Sequence, residues 1–378
     1  MTGPGGFVPP PYPYDRLIPV REAASRHEGG AVDLSIGTPC DPPPKVVLDA
    51  LRDSDSERGY PPSIGTAQLR DAATAWVERR FGVQLGDDQL AACVGTKELV
   101  VGVPHWLRLR DPTRDTVLYP VVSYPSYAMG AELAGCRAVP VPVDDQWRID
   151  LSQIDEADAA RALCLWVNTP ANPTGAVDDL EVAAAWGRAR GVPVFSDECY
   201  VEFTWSGDAR GSDGVSGRTI LESGTDGVVA VHSLSKRSNL AGLRVGFYAG
   251  DAELVQFLAE VRKHTGLMVP GPAQAAAAAA LGDQEHVHEQ RQRYLSRLER
   301  LRSVFGAMGL DAPLPSGGFY LWMRAPDGDA WALTRRLAED LGVVVSPGEF
   351  YGPASADHVR VAVVQPDDRI DLIIRRAG

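Results

Sequence analysis

Between residues 45 and 260 the chain alternates short, nearly all-apolar runs with longer stretches in which apolar residues recur every three or four positions. The apolar runs at 91–94, 116–120, 139–143, 162–167 and 192–195 predict strands, as does the run that ends at Val231. The periodic stretches predict helices after Pro44, from Gly65 into Thr66-Ala67-Gln68-Leu69-Arg70, from Thr96, over 178–190 and over 251–264. Strands separated by helices imply a mainly parallel sheet, with ligands gathered at the strand ends. An alanine run at 275–280 belongs to a further helix, and 284–308 reads as one long amphipathic helix leading into a second unit. In that unit strands at 318–323, 343–345 and 358–364 surround a helix at 331–341, and the arm at the other end of the chain adds a short helix over 17–27 and a strand and turn at 32–39. The expected division is an N-terminal arm and small-unit segment at 1–40, a large unit at 41–282 and a small α/β unit at 283–378.

Composition narrows the function classes. The 378 residues are 44% hydrophobic, enough for a large core, and 37 basic against 50 acidic residues leave a net charge of −13. That balance argues against nucleic acid or an anionic membrane as a partner. Cys40, Cys93, Cys136, Cys164 and Cys199 are odd in number and lack any C-x-x-C spacing, so they are expected as reduced, mostly buried thiols in a cytoplasmic protein. No apolar run approaches the roughly 20 residues of a membrane span, and the Gly- and Pro-rich first dozen residues predict an extended or mobile arm. His286 and His288 are expected to face solvent, on different helix faces and unsuited to a metal.

Several residues carry candidate chemistry. Lys236 follows an apolar strand end in Ser233-Leu234-Ser235-Lys236, with Arg244 eight positions on. A lysine among small and apolar residues beside a fixed cation has its ammonium disfavoured, which makes the amine a better nucleophile toward a carbonyl. Ser233, Ser235 and Arg244 offer a cradle for a phosphate. Gly95, Thr96 and Lys97 stand where a strand turns through glycine into a helix, and unpaired N–H groups at a helix start suit a phosphate too. Asp197 closes a buried strand, where a carboxylate is costly without a partner. Arg360 lies inside an otherwise apolar strand and needs an anion. Each has an ordinary reading as well: a solvated lysine, a common βα turn, a helix-capping aspartate.

Taken in order, the motifs Gly95-Thr96-Lys97-Glu98, Tyr124, Asn168-Thr169-Pro170-Ala171-Asn172-Pro173-Thr174-Gly175, Asp197, Tyr200, Ser233-x-Ser235-Lys236 and Arg244 resemble those of class I/II aminotransferases, the pyridoxal-phosphate (PLP) enzymes of fold type I. The resemblance covers nearly the whole chain. It implies a seven-stranded-type, mainly parallel sheet in the large domain and a smaller α/β domain. It further implies that Lys236 carries PLP as a Schiff base and shuttles a proton, that Asp197 holds the pyridine nitrogen, and that Asn172 and Tyr200 reach the phenolic oxygen. Tyr124 would stack on the ring, and Gly95, Thr96, Lys97, Ser233 and Arg244 would hold the phosphate, with Tyr60 contributed across a homodimer interface. Arg360 would grip the substrate α-carboxylate beside Gly37 and Asn172.

More narrowly, Ser196-Asp197-Glu198-Cys199-Tyr200, Val261-Arg262-Lys263-His264 and Pro347-Gly348-Glu349-Phe350-Tyr351-Gly352 are similar to actinobacterial N-succinyldiaminopimelate aminotransferases, which implies glutamate as amino donor. Arg237 and Asn239 depart from the small residues often found after the lysine. For the far carboxylates of such a substrate the candidates are Lys97, Arg237 and Lys263. Other class I aminotransferases, of aspartate, alanine or aromatic type, share these motifs, and a PLP-dependent C–S lyase would share every cofactor residue. A regulator built on this domain would need a DNA-binding module, which is not expected ahead of motifs that start within forty residues.

Overall fold

The computed structural model describes residues 7–56, 58–205 and 217–378; the first six residues of the expected arm lie outside them. Among the described residues the twelve strands are β1 (Val32–Asp33), β2 (Leu90–Cys93), β3 (Thr116–Pro120), β4 (Arg137–Val141), β5 (Ala162–Asn168), β6 (Val194–Asp197), β7 (Val228–Ser233), β8 (Gly246–Gly250), β9 (Tyr320–Arg324), β10 (Val343–Val344), β11 (Ser346–Pro347) and β12 (His358–Ala362). The seven-stranded sheet runs β2-β8-β7-β6-β5-β3-β4. Only β8 is antiparallel to its neighbours. Every residue of β5, β6 and β7 is buried, as expected of parallel strands covered by helices on both faces.

The alanine run has a packing role. Helix Gly271–Gly282 lies against helices Lys45–Arg52 and Ala67–Phe81, and Ala276, Ala277 and Ala280 at 0% exposure let the backbones approach closely. The long helix Glu285–Ala307 then leads to the three-stranded sheet β11-β12-β9. β1 pairs in parallel with β10 in a separate two-stranded sheet, and the Ala362 N–H of β12 donates to the Leu34 carbonyl at 2.8 Å, which ties the N-terminal segment to the three-stranded sheet.

Several boundaries differ from the sequence pattern. The expected strand at 32–39 pairs over two residues only, since Asp33 turns back to take the Ser35 N–H and hydroxyl. The strand expected at 192–195 runs to Asp197, and that expected at 139–143 lies two residues earlier. The helix Asp367–Ala377 was not expected; its Ile370 and Ile373 are buried, three positions apart in a highly charged stretch. All five cysteines are free, but only Cys93 and Cys164 are buried, Cys136 and Cys199 are half-buried and Cys40 is exposed. No helix among the described residues is long and apolar enough to cross a membrane.

Candidate active site

β7 releases the chain at Ser233 into a single helical turn, Leu234–Arg237, so Lys236 stands at the C-terminal edge of the sheet. The Ser233 hydroxyl accepts from the Ser235 N–H at 3.2 Å and caps that turn. Lys236 Nζ donates to the carbonyl of Gly37. Burial, reinforced by the charges of Arg360 and Arg244, lowers the Lys236 ammonium to about 8.

Asp197 ends the neighbouring strand β6. Its Oδ2 accepts from the Tyr127 hydroxyl at 2.8 Å and its Oδ1 from the Cys199 N–H at 3.3 Å. Burial raises the carboxyl above the ordinary aspartate range, while these two bonds pull the other way. Asn168, at the end of β5, donates to the Asp197 carbonyl at 2.9 Å and accepts from the Asn172 N–H at 2.8 Å. The turn bearing Asn172 is therefore fastened to the strand bearing Asp197.

From the second sheet β12 brings Arg360, buried at 3% exposure. Nη1 donates to Asn172 Oδ1 at 2.7 Å and Nη2 to the Ser35 carbonyl at 2.6 Å. The guanidinium lies between Tyr320 and Tyr351, 4.3 and 4.7 Å from their ring centroids. Its Nε is buried without a hydrogen-bond partner, and no carboxylate pairs with it among the described residues. Tyr200 and Tyr320 join hydroxyls at 2.8 Å. A Cβ at Gly37 would come within 2.2 Å of the Tyr320 hydroxyl, so only glycine admits this approach.

At the other end of the cleft, helix Thr96–Arg110 starts from Gly95 without a side-chain cap. Arg244, in the left-handed conformation at φ 52°, lays its guanidinium where a Gly95 Cβ would be, 2.2 Å from Nη2. Strain of this kind at a non-glycine residue marks functional loops. Glu98 braces the helix start, accepting from the Val94 N–H at 2.8 Å and from buried Arg262 at 2.5 Å. Thr96 is half-buried and its hydroxyl lies 3.5 Å from the Cys199 thiol. Lys97 is exposed, its ammonium 5.9 Å from the ring centroid of Tyr124.

The residues from the two sheets thus converge on one cleft. A family model for aminotransferases of class I and II matches residues 30–376. The chain belongs to that family. It is 40% identical over 364 residues, covering 96% of this chain and 97% of the relative, to the 4-dedimethylamino-4-oxo-anhydrotetracycline transaminase of Streptomyces rimosus. It is 32% identical over 380 residues, 96% of this chain and 94% of the relative, to the LL-diaminopimelate aminotransferase of Dehalococcoides mccartyi. Among solved structures, a probable N-succinyldiaminopimelate aminotransferase of Thermus thermophilus superposes with a TM-score of 0.84 at 30% identity, covering 97% of this chain and 99% of that one. The fold is therefore that of the fold type I aminotransferases.

Aminotransferases of this family use pyridoxal 5′-phosphate, and the donor set here suits it. An uncapped helix start beside an arginine suits a phosphate. A fully buried carboxylate that lacks a cation suits a protonated ring nitrogen, and an amine of lowered pKa suits an aldehyde.

Some expected residues fall elsewhere in this aminotransferase. Arg237 is buried on the far side of its turn, bonded to Glu202 and to the Ala280 carbonyl. Lys263 is a surface residue beside Glu260. Arg237 is therefore held in the protein interior. His286 does not face solvent: its side chain, 10% exposed, bonds Ser238 Oγ at 3.0 Å and lies 3.2 Å from Asp283. Tyr60, at 96% exposure, bonds to none of the cleft groups within one chain.

Three cleft residues have no role in the sequence reading, Tyr127, Tyr320 and Ser35, and Asn168 enters it only as part of its motif. Tyr127 had a signal, since it lies three positions from Tyr124 where the strand passes into a helix. Ser35 acts through its carbonyl, which no residue type announces.

Proposed function

We propose that this aminotransferase moves the amino group of glutamate to N-succinyl-2-amino-6-ketopimelate, giving N-succinyldiaminopimelate and 2-oxoglutarate, in a homodimer of cytoplasmic location. The observation that carries the carboxylate chemistry is Arg360: a buried guanidinium held by Asn172 and Ser35, with no carboxylate of its own. A substrate α-carboxylate supplies that partner as a planar, bidentate pair. Diaminopimelate-type substrates are supported by the names of two of the relatives above.

Pyridoxal phosphate, when bound, supplies the electron sink that lets the Cα–H bond of the amino donor break. In this reading Asp197 holds the ring nitrogen's proton, Asn172 and Tyr200 face the phenolic oxygen, and Tyr124 lies against the ring. Gly95, Thr96, Lys97, Ser233 and Arg244 take the phosphate. Lys236 Nζ would take the Cα proton from the donor and pass it to the cofactor carbon, and would make the same transfer in reverse to the Cα of the amino acid formed from the oxo acid. The domain bounds at 41 and 283 belong to this reading, supported by the helix Glu285–Ala307 that separates the two sheets.

With Arg237 bonded to Glu202 and Lys263 beside Glu260 on the surface, the remaining candidate for the distal carboxylates is Lys97, which this reading already gives to the phosphate. That shortage of cations favours a second reading. Tyr14 joins its hydroxyl to that of Tyr351 at 3.0 Å, and Tyr12 lies tilted against Tyr14 with ring centroids 5.3 Å apart, so the Arg360 side of the cleft is walled by tyrosines suited to an aromatic substrate. A panel of oxo acids with glutamate, read by 2-oxoglutarate release, decides between them. The succinylated acceptor is expected to exceed pyruvate and oxaloacetate by at least about tenfold in kcat/KM. Parity would remove the pathway assignment, and preference for an aromatic oxo acid would install the second reading. Pyruvate and ammonia from a cysteine conjugate, with no amino transfer, would instead mark a C–S lyase. Arg360→Lys should raise KM and lower kcat by a combined factor of roughly 100, because the fork is lost.

The dimer is supported by Tyr60, whose near-complete exposure suits a side chain that completes a neighbouring subunit's phosphate site. Sedimentation at micromolar concentration should give a dimer, and Tyr60→Phe should weaken cofactor retention. A fully active monomer would contradict this.

A further inference from the structure

β6 and β7 are paired so that Asp197 lies opposite Val231, and the Glu198 N–H donates to the Val231 carbonyl at 2.9 Å. Side chains alternate across a sheet, so Glu198 and His232 share the face that turns away from Asp197. There Glu198 Oε2 and His232 Nε2 stand 3.4 Å apart, both side chains 4% exposed or less. Glu198 Oε1 is occupied by the Ile220 N–H at 2.8 Å. Oε2 and both ring nitrogens of His232 are buried without a hydrogen-bond partner.

A small cavity opens beside these atoms, lined also by Cys199, whose N–H bonds the Asp197 carboxylate, and by Ser233 and Leu234, which lead from β7 to Lys236. The cavity is about one water's size and apolar over much of its wall, but several unpartnered donors and acceptors edge it, and such groups are where proteins hold an internal water. We propose that Glu198 and His232 are positioning residues: an uncharged pair, bridged by a water in this cavity, that fixes the separation of Asp197 and Lys236.

The surroundings support neutrality. Burial pushes the Glu198 carboxyl up to about 8 and the His232 imidazolium down to about 3, so near pH 7 both are uncharged. Trp76 and Phe247, each 5.0 Å from the imidazole by ring centroid, enclose it. Across the cavity, Glu202 is already matched by Arg80 at 3.2 Å, Arg237 at 3.3 Å and the Trp76 indole at 3.0 Å. Those arginines are thereby engaged away from Glu198. Glu222, on the helix after Thr219, adds a like charge that raises the Glu198 carboxyl further.

This inference rests on Asp197 and Lys236 being the cofactor groups. If that assignment were wrong, the unmodified enzyme would itself lack the visible absorbance of lysine-bound cofactor. The test compares Glu198→Gln, Glu198→Leu and His232→Phe as holoenzymes, reading kcat, KM for glutamate and the pH midpoint of that absorbance. Glu198→Gln, neutral and of the same shape, should keep kcat within about threefold and leave the midpoint in place. Glu198→Leu and His232→Phe should lower kcat by about tenfold or more with KM little changed, and should move the midpoint by roughly half a pH unit. Should Glu198→Leu fail to fold, His232→Phe decides the point. A Glu198→Gln loss equal to that of the apolar variant would require an ionised Glu198 and overturn the neutral pair. Unaltered kcat and midpoint in the apolar variants, whatever their melting temperatures, would reduce the pair to packing and overturn the positioning role.

Discussion

Lys236→Ala is expected to abolish amino transfer, by at least about a thousandfold, which is ~4 kcal/mol of barrier, and to remove the visible absorbance that marks lysine-bound cofactor. Among the described residues no other amine is placed to replace it: Lys45 is on the surface beside Asp49, Lys97 is exposed near Tyr124, and Lys263 is on the surface beside Glu260. The environment of Lys236 also sets a pH signature. With the ammonium lowered to about 8 by burial and by Arg360 and Arg244, the free amine fraction of cofactor-free protein rises steeply from pH 7 and flattens above pH 8. The rate of cofactor uptake should therefore climb about tenfold between pH 7 and 9 and then level off. An ordinary lysine, titrating near 10.4, would still be rising tenfold per unit there. Undiminished turnover in Lys236→Ala would end the assignment, and a rate that keeps rising beyond pH 9 would show that the desolvated setting is absent.

The legibility of this site in the sequence followed the kind of contact each residue makes. Lys236, Asp197 and Asn172 sit at strand ends, where an apolar run followed by a polar residue is visible in one dimension, and the strands were placed nearly to the residue. Arg360 was visible for the same reason, as a charge inside an apolar strand. Arg237 misled because the same signal, a cation next to the site lysine, has two solutions in three dimensions. A helical turn separates the direction of Lys236 from that of its neighbour, and Arg237 faces Glu202 instead. Tyr320 and Ser35 were illegible because their value comes from long-range approach: a hydroxyl against Gly37, a carbonyl against Arg360. The last helix, Asp367–Ala377, was missed because its charged residues hide a narrow apolar stripe.

Asp197→Asn should separate the charge of the carboxylate from its shape, and its two effects should have opposite signs. The amide oxygen can still accept from Tyr127 or from the Cys199 N–H, so the strand ends should keep their places. What is lost is the negative charge proposed to face the ring nitrogen, and kcat should fall by about 100- to 10,000-fold, roughly 3–5 kcal/mol, while cofactor still binds. In cofactor-free protein the carboxyl is a liability. Because burial raises its pKa in the folded chain, the native state holds that proton to higher pH than the unfolded state does. Its contribution to stability is therefore greatest below the unfolded value and falls as pH rises through the folded one. At pH 7 the asparagine variant, free of that desolvation cost, should melt no lower than the unmodified protein without cofactor, and should lose its excess at acid pH. Loading both proteins should reverse the order, since the ring nitrogen gives the carboxylate the cation it lacks. A variant that melts lower in both states with kcat unchanged would make Asp197 a structural anchor for Tyr127 and not the partner of the cofactor ring.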